Sequence, residues 1–216
     1  MKSYKTIFLL IGLLNSAMGN TPNGVIILAN SKMSESVETA RYYAQQRGIP
    51  LDNIIALPMS TKETITLKEY VKTVHNPLLK SLLKKDLITG AKSRRRDIYG
   101  RDWLVAGLHS IDYLVLMYGV PLRFQNSPEH IVPTSNPNAK LFQNNQGSLD
   151  SELALLAVPS ERSMTGFSQN PLFKNKTPST YQLETLIRVN RLDGPSPASV
   201  RLLIDRTLAA EKTGLQ

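Results

Sequence analysis

Eight residues of this 216-residue chain stand where chemistry could be done: Asn30, Ser31, Gly119, Arg123, Asp150, Ser151, Glu152 and Asp193. They follow three apolar runs or sit on one short segment between two long irregular stretches. In an open parallel sheet, ligands bind beyond the carboxyl ends of the strands, so these positions share one expected rim. Asp150, Glu152 and Asp193 could hold a divalent cation through oxygen atoms. The same residue types are also ordinary helix caps and turn formers, and that reading is preferred. No metal is therefore expected. Ser151 could be a nucleophile only with a base beside it. Of the histidines His75, His109 and His130, only His130, in a long irregular stretch, could serve; His109 precedes a strand and belongs at the opposite, amino end. Neither GxGxxG nor GxxxxGK[ST] occurs, so nucleotide binding has no specific support and no cofactor is expected.

The elements that must position these residues follow from the apolar pattern. Residues 24–30, "GVIILAN", read as a buried strand. Ser34 is a candidate cap for a helix to about Gln46, ended by Gly48 and Pro50. "NIIAL", 53–57, is a second strand. Thr66 with Glu69 forms a capping box for a helix to about Lys85, with a bend or break expected at Asn76-Pro77. Residues 112–118 of "IDYLVLMYGVPLR" are the strongest strand, closed by Gly119 and Pro121. "TLIRVNR", 185–191, is a fourth strand. Ser196 and Pro197 open a last helix that ends near Gly214. Strands alternating with helices imply an α/β fold: an open, mostly parallel sheet with helices on both faces, in three αβα layers. Two long irregular stretches, 124–148 and 159–180, interrupt the rhythm, with "LDSELALLAV", 149–158, as a short helix between them.

The first twenty residues, "MKSYKTIFLLIGLLNSAMGN", have the three parts of an export signal. Lys2 and Lys5 are basic, residues 6–14 are apolar but too short to span a bilayer, and Ala17 and Gly19 suit cleavage before Asn20. Residues 1–19 are thus expected to be removed and residues 20–216 to form a single domain, exported to a periplasm or beyond. No later stretch is long and apolar enough for a membrane helix. The absence of cysteine excludes disulfides, thiol catalysis and thiolate metal sites. The formal charge is +9, and part of the excess lies in "KSRRRDIYGR", 92–101. With one aromatic in it, the run is read as a solvated loop rather than a nucleic-acid surface.

Taken together, "VIILANSKMSESVETARYYAQQRGIPLDNIIAL", "DYLVLMYGVPLR", "LDSELALLAV" and "RLDGPSPASVRLLIDRTLAAEK" resemble an uncharacterised family of predicted exported bacterial proteins. The resemblance covers nearly all of residues 20–216 and carries no activity with it. It implies a longer domain of which this chain is the front part, and it sets the basic run apart as an insertion. A fainter similarity, in the opening strand, helix and "RGIPLDNIIAL", is to caspase-like peptidases of the legumain and gingipain types. Their His–Cys pair has no counterpart here, so fold-level analogy licenses no function. The expectation is a ligand- or partner-binding module acting through the loop-rich rim. The alternative is the N-terminal part of a hydrolase whose catalytic residues lie beyond residue 216.

Overall fold

A computed structural model describes residues 22–96, 99–127, 144, 146–159, 171–172 and 174–214. The expected export signal, His130 and most of the two long irregular stretches lie outside the described residues. The main sheet has four parallel strands: β1 (Val25–Asn30), β2 (Ile54–Leu57), β6 (Tyr113–Met117) and β9 (Val189–Leu192), in the order β2-β1-β6-β9. Successive side chains of a strand point to opposite faces, so the continuous apolar runs feed two cores. Ile26, Leu28, Leu114 and Leu116 enter one; Ile27, Ala29, Val115 and Met117 enter the other.

Helices cover both faces, as the pattern requires. On one face lies α1 (Ser34–Arg47), whose Ala40 and Ala44 meet the sheet. Beside it runs α6 (Pro197–Thr213), tied to α1 by Arg47–Glu211 at 2.6 Å, Arg201–Glu38 at 3.5 Å and a Tyr42–Asp205 hydrogen bond. These exposed links contribute little individually; Val200 and Ile204 supply the buried contact of α6. The other face is covered by α2 (Leu67–Tyr70), α3 (Asn76–Lys84) and α4 (Leu149–Ala154). Tyr70, Val74, Leu78, Leu82, Leu149 and Leu153 fill that core.

The Thr66 capping box forms as expected: its hydroxyl accepts from the Glu69 N–H at 3.1 Å, and the Glu69 carboxylate accepts from the Thr66 N–H at 2.8 Å. At Pro77 the helix does not break. Residues Val71–His75 widen into a π turn in which the Asn76 N–H reaches back to the Val71 carbonyl. Proline has no N–H to offer four residues back, and the widened turn absorbs that defect. Ser196 caps α6 as read, accepting from the Ser199 N–H at 3.2 Å.

Three expectations need correction. Ser34 is the first residue of α1, not its cap; Met33 holds the cap position and has no side-chain oxygen to offer. The strand read at 185–191 is β9 at Val189–Leu192, and a short helix, α5 (Thr180–Thr185), precedes it. Ser179 and Gln182 form a capping box there, which overrides the β-propensity of the following residues. The basic run is exposed at residues 94–96, as a solvated loop is, but it does not lead from a helix into a strand. It joins an antiparallel ribbon, β4 (Ile88–Lys92) and β5 (Leu104–His109), that packs outside the α2–α3 face. Asn76 holds the far end of the run with two bonds of 2.9 Å, from its Nδ2 to the Gly100 carbonyl and from the Asp102 N–H to its Oδ1. A small second sheet, β3 (Thr64–Ile65), β7 (Arg123–Phe124) and β8 (Gly147–Ser148), lies beyond the carboxyl edge.

Candidate functional site

The chain leaves β1 toward β2 on one side, while β6 lies on the other, so the order reverses between β1 and β6. Ligand crevices of open α/β sheets form at this reversal, past the strands' carboxyl ends. A cleft of about 480 Å³ opens there, lined by Met33 after β1, Thr61, Lys62 and Glu63 after β2, Tyr118 to Leu122 after β6, and Asp193 to Pro195 after β9. Every strand of the main sheet thus contributes a loop to one concavity, within the size range of small-molecule sites.

Two polar residues, one fully buried and one half-buried, shape it from below. Asn30, fully buried at the end of β1, donates from Nδ2 to the carbonyls of Ser60 and Gly119, each at 2.9 Å. Its Oδ1 accepts from the N–H groups of Lys32 and Met59 at 3.1 and 3.2 Å. The amide is therefore committed inside the protein, joining the loops after β1, β2 and β6. Gly119 has φ +82°, and a Cβ there would meet the Met33 sulfur at 2.7 Å. Only glycine satisfies both the left-handed backbone and the close approach.

Arg191 is the second. Its guanidinium grips Asp150 through Nε and Nη2, closest approach 2.6 Å. The same group donates to the carbonyls of Val120 at 2.8 Å and Pro121 at 3.1 Å. It thereby ties β9, the cleft wall after β6 and α4 together. Asp193 lies 3.8 Å from Arg191 Nη1, and its Oδ1 accepts from the Gly194 N–H at 2.8 Å.

Of the eight expected residues, the structure brings Gly119 and Asp193 to the cleft, with Asn30 beneath them. Arg123 lies in the small sheet, its Nε donating to Thr64 Oγ1 at 3.1 Å. Ser31 is exposed at the rim. Asp150, Ser151 and Glu152 diverge around α4. Asp150 pairs with Arg191, and exposed Ser151 lines a separate groove with Leu155 and Val189. Glu152 turns into the core, where it meets Arg101 at 3.3 Å with both side chains nearly inaccessible. Asp150, Glu152 and Asp193 therefore do not converge. Among the described residues no group of three His, Cys, Asp or Glu side chains could hold a metal ion.

The histidines find structural surroundings. His75 is buried, its Nε2–H donating to the Asp102 carbonyl at 2.7 Å. His109 stands at the amino end of the sheet, where the Ile111 N–H donates to its Nδ1 at 3.2 Å, and burial pushes its imidazole below the usual 6.5. In the basic run, Asp102 is gripped by Lys92 at 2.6 Å and Arg96 at 2.8 Å. Burial would raise its carboxyl, but those two cations outweigh it and hold it below the ordinary value.

The cleft residues not singled out from sequence include Met33, Thr61, Lys62 and Glu63, with Arg191 behind them. "STKE" before Thr64 carries the composition of a turn, and nothing local shows that it faces Asp193. The fold and site define an open, doubly wound α/β protein with a carboxyl-edge cleft at the reversal of strand order. The chain matches no family profile, no curated protein and no solved structure. No helix among the described residues is long and apolar enough to cross a membrane.

Proposed function

We propose that this is an exported ligand-binding module that works through the carboxyl-edge cleft. The observation that carries the reading is the convergence of loops from all four parallel strands on one concavity, held open by Asn30 and Arg191. Its walls mix apolar side chains with a few charged ones, as small-molecule sites do. Export is supported by the basic, apolar and small-residue order of positions 1–19. The resemblance to an exported family belongs to the same proposal, since its blocks supply β1, α1, β2, β6, α4, α6 and the last two residues of β9.

The test is a thermal-shift screen of small polar metabolites on the purified domain, repeated on Thr61→Trp. Thr61 is exposed on the cleft wall, so the indole fills the space without disturbing the core. Compounds that raise the melting temperature of the wild type and not of Thr61→Trp support the cleft. Hits that stabilise both proteins equally refute it.

A further inference from the structure

The charges in the cleft narrow what it can hold, provided the binding reading above is right. Lys62 and Glu63, neighbours in sequence, border the cleft on one side, and Asp193 borders it from the loop after β9. Neither Lys62 nor Glu63 enters an ion pair among the described residues. Arg191 directs its short contacts at Asp150 and at the carbonyls of Val120 and Pro121. Its approach to Asp193 Oδ2 is looser, at 3.8 Å, and that side chain stays 29% exposed while its Oδ1 accepts from the Gly194 N–H. Met33 and Leu122 add apolar surface to the same lining.

A ligand carrying only negative charge would meet two carboxylates, and one carrying only positive charge would meet the Lys62 ammonium. Like-charge juxtaposition of this kind rejects partners as effectively as attraction selects them. We infer that the cleft takes a small zwitterion with an apolar body, of the amino-acid or short-peptide class. Its ammonium lies between Glu63 and Asp193, its carboxylate meets Lys62, and its side chain rests on the apolar lining.

The probe is the dipeptide alanyl-leucine, compared with its N-acetyl, C-amide form, and with succinate and putrescine as singly signed controls. Binding is followed by amide chemical shifts at Lys62, Gly119 and Gly194 in the folded domain. The expected result is saturable shifts with the zwitterion and none with the blocked peptide. Lys62→Met and Asp193→Asn each weaken that binding about tenfold, the scale of one charge-assisted hydrogen bond. The Asn variant keeps the oxygen that accepts from Gly194, so the turn survives. Equal binding of the blocked peptide, or binding of succinate or putrescine instead, overturns the zwitterion inference while leaving the cleft as the site. If no probe moves these three amides, and no screened compound distinguishes the wild type from Thr61→Trp, the cleft reading itself falls.

Discussion

Arg191 holds Asp150 in a forked ion pair of 2.6 Å while its remaining donors occupy the carbonyls of Val120 and Pro121. One side chain thus joins the outer strand, the cleft wall and α4. Arg191→Ala leaves three acceptors without their donor, at a cost of about 2–3 kcal/mol by urea unfolding. Arg191→Lys recovers less than half of that, because an ammonium cannot span the fork. Equal stability of the Arg191→Lys variant and the wild type in the same titration would show that charge alone matters here.

The Arg101–Glu152 pair lies deeper, with side chains 3% and 6% exposed. Removing one partner leaves the other charge buried, so Arg101→Met is expected to cost about 3–5 kcal/mol. Replacing both together, as Arg101→Met with Glu152→Leu, is expected to regain most of the loss. A double-mutant cycle by chemical denaturation measures the coupling, and additive losses would rule it out.

Asn30 completes four side-chain hydrogen bonds at zero exposure. Asn30→Asp keeps the shape but turns two donated bonds into carboxylate oxygens facing the carbonyls of Ser60 and Gly119. It is expected to lower stability more than Asn30→Ala, which costs about 2–3 kcal/mol. Thermal melts of the two variants order them directly, and the reverse order would deny the pin its donor role.

Burial holds the His109 imidazole below its unfolded value of about 6.5. In the folded protein this group resists protonation while the unfolded chain accepts it. Its contribution is therefore constant above that value and is lost as pH falls below it. His109→Asn retains an acceptor for the Ile111 N–H and removes the titration. The stability of the variant, followed from pH 7.5 to 5.5, is expected to fall less steeply than that of the wild type; parallel profiles would exclude His109 as the source.

The strands β1, β2 and β6 were legible because each is a short apolar run bounded by turn residues, and the caps at Thr66 and Ser196 are local signals that tertiary contacts left intact. The β4–β5 ribbon was not. Its strands carry Gly90, Ala91, Ala106 and Gly107, which give no apolar alternation. The reason is steric: a Cβ on Gly90 would lie 2.1 Å from the Ala106 carbonyl oxygen. α5 was hidden by the β-branched residues after it. For the site, the rim rule found Gly119 and Asp193, because it depends only on where strands end. It grouped Asp150 with Glu152 although α4 sends them to different surroundings. Lys62 and Glu63 escaped it because their place depends on a loop folding back across the sheet.

The outer position of β9 has a consequence for how the backbone meets water. The Leu114 N–H donates to the Arg188 carbonyl, so Arg188, Asn190 and Leu192 direct their backbone groups to β6. The amides of Val189 and Arg191 turn the other way, toward the side where, among the described residues, the strand order ends. Along one four-residue strand, proton exchange with solvent should thus alternate: slow at Asn190 and Leu192, which open only when the sheet does, and fast at Val189 and Arg191. The edge of the sheet would be written in the chain as a striped clock, two residues keeping the time of global unfolding and two that of the surrounding water.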